Sequence, residues 1–368
     1  MRKRTGMKCR IISYFIVLIS ISTGALSAPV ISGISGTPSD GSIITISGLG
    51  FGIKNPARPY LWAPFNNNLD PDGSLGRRLT RDSYMDSHIQ YDPSSSNCYG
   101  GKAGCLRDNL TDRDGEGWTW GVDTDIDGWY INSFSQKSYV YMKRKRNFTI
   151  TADNNWKVFR AWSASYTFPN FYYQAGNGNA NVEGGTSYCW ANHPENLYSW
   201  KDTWNTDEYI LLGNSSLQAI NGSFRVYTNN NLILKCDGTS YTWAMRTGSG
   251  NIRMVFLAHG IMEDLSFPGT NNHEWFDDIY FDNTWSRVMI SDSSTWIGST
   301  NKEIQIPMTW SDTSIQIKFN VGIYNTGQNV YLYVVDANNN VNANGYNITI
   351  GGAGGGRIPS SPSGVQIR

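Results

Sequence analysis

A pair of short strands near the N-terminus, with no third strand behind it, constrains the fold more than any other feature of this sequence. Residues 29–35 read Pro-Val-Ile-Ser-Gly-Ile-Ser, and residues 41–52 read Gly-Ser-Ile-Ile-Thr-Ile-Ser-Gly-Leu-Gly-Phe-Gly. The glycines that end the second run allow positive φ and close backbone approach. From Lys54 to Phe65 the sequence becomes rich in Pro and Asn. Two strands alone cannot bury a core in water, so their partners must lie far along the chain.

The rest of the chain has the punctuation of antiparallel sheets. Asp-Gly or Asn-Gly turn dipeptides begin at Asp72, Asp127, Asn221 and Asp237, between short runs in which polar and apolar residues alternate. No stretch of useful length has a helical period. The sequence therefore predicts an all-β protein built from sandwiches or barrels.

The N-terminus predicts export. Met1-Arg-Lys-Arg is followed by an apolar run from Ile11 to Ile21 and then by small residues, which is the pattern of a secretory signal peptide over residues 1–28. Cleavage after residue 25 or 27 is favoured over cleavage after residue 28, because Pro29 would then follow the cut. No later segment reaches the ~18 apolar residues that span a bilayer. We expect a secreted or cell-surface protein without a transmembrane segment.

Charge argues against a nucleic-acid partner. The 30 Lys and Arg residues balance the 30 Asp and Glu residues, whereas phosphate binding needs a concentrated basic face. The one basic run is Lys143-Arg-Lys-Arg146. We interpret it as a strand end or hairpin with solvated charges.

The cysteines fit an oxidising compartment. Cys9 leaves with the signal peptide, and the remaining four permit three connectivities, between which sequence alone does not choose. We predict that Cys98 pairs with Cys105, closing a short Gly-containing loop, and that Cys189 pairs with Cys236.

The run Ile44-Thr-Ile-Ser-Gly-Leu-Gly-Phe-Gly52 resembles the opening of the IPT/TIG family of immunoglobulin-like domains. In that family the next strand follows within a few residues, whereas here matching runs lie at 286–292, 303–319, 329–336 and 346–350. Segments 29–53 plus 284–351 together approach the ~100 residues of an immunoglobulin-like sandwich. We predict one such sandwich split by an inserted domain, which is tolerated at an exposed loop. The alternative, two independent fragments, leaves the first strands without a partner.

The predicted insert, residues 54–283, contains strand-like runs such as Asn155-Trp-Lys-Val-Phe-Arg-Ala-Trp162 and Trp275-Phe-Asp-Asp-Ile-Tyr-Phe281. These runs resemble the concanavalin-like jelly roll shared by lectins, sugar-binding modules, glucanases and some polysaccharide lyases. The resemblance implies a jelly-roll β-sandwich, and it carries the fold better than the function. Residues 352–368 are rich in Gly, Ser and Pro and are predicted to form a flexible tail.

Two acidic motifs suggest calcium. Neighbours in a strand face opposite sides, so we expect Asp277 and Asp278 not to act together on one substrate. The E-x-D-x-x-E arrangement of jelly-roll glucanases is absent. In several β-sandwich sugar-binding modules a closing-strand Asp-Asp resembling this one contributes to a structural calcium site; a hydrogen-bonded structural Asp is the alternative and the favoured one. Residues 123–128 match half of an EF-hand loop, although plain Asp-Gly turns explain them as well. The predicted calcium ligands are Asp123, Asp125, Asp127 and Asp277.

A polysaccharide lyase would need a Tyr or His as base and cationic or amide groups to neutralise the uronate carboxylate. Residues of these types alternate with apolar partners on or near predicted strands, where they form either a charged groove for an acidic sugar or the solvent face of a sandwich. The candidates are Arg160, Arg225, Tyr227, Arg253 and His259.

Tryptophans in polar, loop-like surroundings are the stronger indication of function. A flat ring in water stacks on the apolar face of a pyranose, while nearby polar groups fix the orientation; a small core beneath a long loop is the structural alternative. The candidate binding residues are Trp118, Trp120, Trp129, Trp190, Trp200 and Trp204. We favour a carbohydrate-binding protein that recognises a polysaccharide through the jelly roll. The alternatives are a polysaccharide lyase acting on an acidic glycan and a non-catalytic structural or adhesive surface protein.

Overall fold

The structure is a computed structural model. It describes residues 28–66, 89–109, 120–122, 137–148, 155–162, 170–174, 179–184, 187–192, 201–213, 215, 221–237, 254–257, 261–263 and 272–352. Within these ranges the only helical element is one 3-10 turn, Tyr99–Gly101. A membrane-crossing helix, judged by length and apolar character, is therefore absent from the described part of the chain. The predicted all-β fold class is confirmed.

The terminal sheet draws its seven strands from both ends of the described chain. In hydrogen-bonded order they are β1 (Val30–Ser35), β2 (Ile43–Leu49), β20 (Ser314–Lys318), β19 (Lys302–Trp310), β18 (Arg287–Ser291), β21 (Asn329–Val335) and β22 (Tyr346–Thr349). All of its pairings are antiparallel, and β2 runs beside β20 with Ile43 opposite Lys318 and Ser47 opposite Ser314. The predicted long-range pairing of the N-terminal strands is confirmed.

An apolar core forms inside the terminal sheet because its strands alternate. Ile44 and Ile46 are buried on β2, and they lie directly opposite the buried Ile317 and Ile315 of β20. Side chains from β18, β21 and β22 join the same core. Burial of each such side chain contributes about 1.5–3 kcal/mol. The sheet therefore curls around a core that neither end of the chain could form alone.

At Gly48, in the IPT/TIG-like run, glycine is required for a steric reason. A Cβ at this position would lie 2.1 Å from the Val30 carbonyl oxygen and 2.4 Å from Cζ of Phe51. Only a residue without a side chain lets β1 approach while the buried Phe51 ring closes over the strand end.

The eight-stranded sheet comes from the predicted insert. In order its strands are β14 (Asn231–Asp237), β13 (Ser223–Thr228), β12 (Asn205–Leu212), β7 (Lys137–Arg146), β17 (His273–Asp282), β5 (Cys105–Asn109) and β4 (Ile89–Asp92), with β3 (Leu61–Ala63) also paired to β17. All of these pairings are antiparallel. β7 and β17 lie at its centre, so their side chains have neighbouring strands on both sides.

The β8 sheet is the third sheet, and it too comes from the predicted insert. Its strands are β11 (Ser187–Asn192), β10 (Asn179–Gly184), β9 (Asn170–Gln174), β8 (Asn155–Trp162), β15 (Met254–Leu257) and β6 (Trp120–Val122), with β16 (Ile261–Glu263) paired to β8. The side chains of these strands lie outside the described part of the structure, so the sheet is known here by its antiparallel pairing.

The terminal and eight-stranded sheets share a second core, which we call the aromatic interface. It consists of Trp62, Tyr139, Tyr141, Ile210, Tyr280, Met289, Ile304, Ile306 and Tyr333. The first five come from the eight-stranded sheet and the other four from the terminal sheet. The predicted boundaries at 54 and 284 therefore separate sheets that pack on each other, and the division into domains stays a prediction.

Buried ion pairs cross the aromatic interface. Glu208 of β12 accepts a hydrogen bond from the Tyr139 hydroxyl at 2.9 Å, contacts Lys302 of β19, and lies 3.7 Å from Arg287 of β18. Burial raises the pKa of Glu208, but the two cations outweigh burial and hold that pKa below its ordinary value. Burial lowers the pKa of Lys302, against the effect of Glu208. With two cations around one carboxylate, Glu208 is the group held firmly in its charged form.

Three of the four residues of the basic run, Lys143, Arg144 and Arg146, are buried on β7, and Lys145 is half-buried, which corrects the interpretation of the run as solvated. Strand alternation sends Lys143 to the aromatic interface, where its Nζ donates to Thr206 at 2.8 Å and lies 3.3 Å from Glu303. Arg144 points to the other face and pairs with Asp207 at 2.7 Å. The sequence-based interpretation failed because Lys143 and Arg144 find charged partners on a neighbouring strand or sheet, and burial of a charge is possible only with such partners.

Candidate functional site

Polar and aromatic side chains form a row near one edge of the eight-stranded sheet. Gln90 of β4 is paired with Arg107 of β5, Arg107 with Trp275 of β17, and Trp275 with Lys145 of β7. Directly paired residues lie on the same face of a sheet. We use "Trp204 surface" for Gln90, Arg107, Lys145, His273 and Trp204, which surround the buried Trp275.

Trp204 rests on the predicted Cys98–Cys105 disulfide, which the structure contains. Its ring meets the Tyr99 ring edge-on at 5.6 Å, and the Lys145 Nζ lies 5.3 Å from its centroid. Trp204 itself remains half-buried. The disulfide and Tyr99 hold the ring in place from below, so its exposed part forms a fixed apolar surface beside a cation.

Arg107, one of the two cations of the Trp204 surface, lies beside the buried Asp92. This carboxylate accepts hydrogen bonds from Trp275 Nε1 at 2.9 Å, Asn97 Nδ2 at 3.0 Å and the Ser94 amide at 2.9 Å. Burial raises the pKa of Asp92, but these hydrogen bonds and Arg107 outweigh burial and lower it. Arg107 lies 3.7 Å from Asp92, donates to Gln90 Oε1 at 2.6 Å, and keeps 27% of its side chain exposed.

His273 belongs to the same surface, although the sequence analysis did not select it. Its ring packs edge-on against Trp275 at 5.5 Å. Burial lowers the pKa of His273, and the positive charge of Arg107 acts in the same direction. The imidazole is therefore neutral near pH 7. The available signal was the strand pattern, because His273 stands two residues before Trp275 and so shares its face.

Only some of the predicted site residues have described side chains. Tyr227 is half-buried and packs against the aromatic interface, which differs from both an open groove and a solvent face. Arg225 is half-buried on β13, opposite Ile210 and Lys235. Of the candidate tryptophans, Trp204 is described. The other predicted side chains lie outside the described residues: Trp118, Trp120, Trp129, Trp190, Trp200, Arg160, Arg253, His259, Asp123, Asp125 and Asp127.

The second predicted disulfide is partly described. Cys236 of β14 is disulfide-bonded, while the Cys189 side chain lies outside the described residues. The pairing of Cys189 with Cys236 stays a prediction.

A β-bulge corrects the expected orientation of the acid pair. The register of β17 against β7 shifts between Asp277 and Tyr280, and Asp278 has a positive φ of 48°. A bulge inserts one residue and breaks the strict alternation of side chains. Asp277 and Asp278 consequently act on the same neighbour, because both raise the pKa of Lys102 against the opposing effect of burial.

The acid pair is buried in a dense polar cluster. Lys102 contacts Asp278 directly, and Glu303 of the terminal sheet accepts a hydrogen bond from the Tyr99 hydroxyl nearby. In the described part of the chain, no group of three or more His, Cys, Asp or Glu side chains is placed to hold a metal ion. Calcium at Asp277 stays a prediction, and the cation that the structure shows beside the pair is Lys102.

No protein-family model matches this chain, and no curated protein matches its sequence. Solved structures give weak similarity. An alginate lyase has a TM-score of 0.38 at 10% identity, over 60% of this chain and 96% of its own. A cellulose-induced protein, Cip1, has a TM-score of 0.37 at 12% identity, over 56% of this chain and 90% of its own.

The binding domain of botulinum neurotoxin DC, solved with rat synaptotagmin II, has a TM-score of 0.40 at 10% identity, over 77% of this chain and 72% of its own. At such scores neither a family nor a function is inferred from the similarity.

Proposed function

We propose that this protein is secreted or displayed at the cell surface and binds a polysaccharide through residues 54–283, with the Trp204 surface as a contact region. The observation that carries the proposal is the fixed, partly exposed Trp204 ring beside Lys145, with the partly exposed Arg107 in the same sheet face. The terminal sheet is then the IPT/TIG-like sandwich that supports this binding segment.

The chemistry of the surface favours an acidic glycan. A tryptophan ring offers apolar area to a pyranose face, and the planar Arg107 guanidinium matches a carboxylate. Asp92 is buried and already hydrogen-bonded, so it orients Arg107 while adding little repulsion at the surface. A uronate-containing polymer such as alginate or pectate presents both the ring and the carboxylate.

Affinity electrophoresis in gels that contain alginate, pectate or a neutral glucan tests the proposal. We expect the two acidic polymers to retard the protein and the neutral glucan not to. Trp204→Ala and Arg107→Ala should each weaken acidic-polymer binding about tenfold, since each lost contact is on the order of 1 kcal/mol.

Lys235→Ala is the matched control, because Lys235 lies near the opposite edge of the same sheet with its side chain 51% exposed. Wild-type retention by Trp204→Ala and Arg107→Ala, with folding verified by circular dichroism, would refute this contact region. Absence of retardation in every polymer would instead favour the structural or adhesive alternative.

A second candidate function, polysaccharide lyase, is favoured by one observation at this surface. His273 is neutral near pH 7 and lies close to Arg107, so a base and a carboxylate-neutralising cation occur together. Incubation with alginate or pectate should then raise absorbance in the unsaturated-uronate band, and His273→Ala should remove that rise. Binding without any rise would contradict the lyase and leave the binding function standing.

A further inference from the structure

A lysine and two aspartates meet in the buried polar cluster, and neither proposed function uses them. Lys102 lies in the loop closed by the Cys98–Cys105 disulfide, whereas Asp278 lies in the middle of β17, 176 residues later. The Asp278 side chain is fully buried, and Lys102 keeps 17% of its side chain exposed. The Lys102 Nζ contacts Asp278 Oδ1 directly.

The second carboxyl group, Asp277, completes the arrangement. Its Oδ1 accepts a hydrogen bond from the Asp278 amide at 2.8 Å. Asp277 Oδ2 and Asp278 Oδ2 are both buried, and within the described part of the chain neither has a hydrogen-bond partner. A buried carboxylate oxygen without a donor is unfavourable, so a proton on one of these oxygens would remove the cost of its buried charge.

We propose that Lys102 and Asp278 condense to form an intramolecular isopeptide bond, with Asp277 carrying the protons. Asp277 gives its proton to Asp278 Oδ2 and takes one from the Lys102 ammonium, which leaves a neutral amine. The amine lone pair attacks Cγ of Asp278, and the C–O bond to one oxygen breaks. That oxygen leaves as water with a further proton from the nitrogen. The net change is ammonium plus carboxylate to amide plus water, and Asp277 ends protonated as it began.

The surroundings supply the acid and the fixed geometry that this reaction needs, whereas Asp277 and Asp278 raise the pKa of Lys102, so the amine must form by transfer of its proton to Asp277. Asp277 is buried next to Asp278, and its Oδ2 has no hydrogen-bond partner among the described residues, which favours a proton on that oxygen. Tyr99, Tyr141, Lys143 and Glu303 pack around the cluster and fix its geometry. The exposed part of Lys102 provides a route by which the product water leaves.

The described residues contain three other buried lysine–carboxylate pairs; Lys143–Glu303 belongs to the same polar cluster, and the other two lack a second acid. Lys54 lies 2.7 Å from Asp282, but the remaining contacts of that pair are the Tyr280 hydroxyl and backbone carbonyls, with no second carboxyl group. Lys302 contacts Glu208, but Arg287 stands beside the same carboxylate and holds it ionised. The Lys102–Asp278 pair differs from these two pairs in having a second acid, Asp277, next to it in the chain.

Intact-mass measurement of the reduced, denatured protein tests the proposal. Relative to the mass calculated from its own sequenced N-terminus, we expect the wild type to be lighter by one water. Proteolysis should then release a branched peptide that joins the segments around residues 102 and 278. Lys102→Arg keeps the charge but cannot condense in this way, so it should have its full calculated mass, as should Asp277→Asn.

The matched control is Lys54→Arg, which should still lose the water. Folding of each variant is verified by circular dichroism and by retention of the Cys98–Cys105 disulfide before reduction. A folded wild type at its full calculated mass would overturn the bond. Loss of water in Lys102→Arg would also overturn it, and loss of water in Asp277→Asn would overturn the role of Asp277.

Discussion

The core inside the terminal sheet and the aromatic interface are built from different kinds of side chain. Inside the terminal sheet, Ile44, Ile46, Ile315 and Ile317 pack against one another with no charged group in the described cluster. At the aromatic interface, tyrosines and tryptophans pack beside the buried Glu208, Glu303 and Lys143. One region relies mainly on apolar burial, with the buried Gln305 and Asn320 hydrogen-bonded to each other, whereas the other needs every charge to meet its partner.

The difference teaches where each region is robust. Apolar packing is non-directional, so the interior of the terminal sheet tolerates changes that conserve volume. A buried ion pair contributes little net stability but is strongly destabilising when one partner is removed. The aromatic interface should therefore be the more sensitive region to single substitutions, and it should fix how the two sheets meet.

Removal of Glu208 should give the largest effect. Glu208→Ala leaves Lys302 and Arg287 without their common carboxylate in a region where both are buried, and we expect the free energy of unfolding to fall by about 4 kcal/mol. Urea denaturation measures the change. Lys235→Ala, which breaks an exposed pair with Asp237, should cost less than about 1 kcal/mol. Equal losses in the two variants would contradict the contrast between buried and exposed pairs.

Truncation in the apolar core should rank next. Ile317→Ala removes a fully buried side chain opposite Ile44, and we expect a loss of about 3 kcal/mol from lost burial and the remaining cavity. The conservative change Ile317→Val should lose about 1 kcal/mol by the same measurement. A larger loss from Ile317→Ala than from Glu208→Ala would reverse the proposed ranking of the two regions.

Acidification should lower the free energy of unfolding through the aromatic interface and not through the apolar core, by less than the substitutions above. The folded-state pKa of Glu208 is below its ordinary value of 4.5, so its contribution is fully present above pH 4.5 and is lost as the pH falls through the folded-state pKa. Glu208→Gln should therefore lose less stability than the wild type on acidification. Urea midpoints from about pH 7 to about pH 3 measure this slope. In Ile317→Ala the stability should depend on pH as it does in the wild type. A weaker pH dependence in this variant would argue against Glu208 as the cause.

The smallest effect is expected at an exposed apolar residue of the terminal sheet region. Ile297 is 91% exposed in the loop after β18. Ile297→Ser removes almost no buried area, so stability should change by less than about 0.5 kcal/mol. A loss above that size in thermal or urea unfolding would show that Ile297 is covered in solution. The comparison of the two regions would then have to include a third buried surface, around Ile297.

Part of the candidate site could be predicted, and the reasons differ by residue. Trp204 was selected because an aromatic residue in polar sequence stands out, and the Cys98–Cys105 pair because a short loop brings the two cysteines together. His273 and Arg107 were missed because their meeting depends on the register of β17 against β5. Single-strand patterns carry no information about register between strands that are distant in sequence.

By itself the sequence determined the strands and the need for distant partners, because side-chain alternation and turn residues act locally and an unpaired hairpin cannot bury a core. A partner for Ile43–Ser47 beyond residue 284 followed from that need, and the structure identified that partner as Ser314–Lys318. Only the tertiary structure decided that Lys143, Arg144 and Arg146 are buried and that Asp277 and Asp278 both act on Lys102. Those outcomes depend on a bulge and on a neighbouring sheet, and neither leaves a local pattern in the chain.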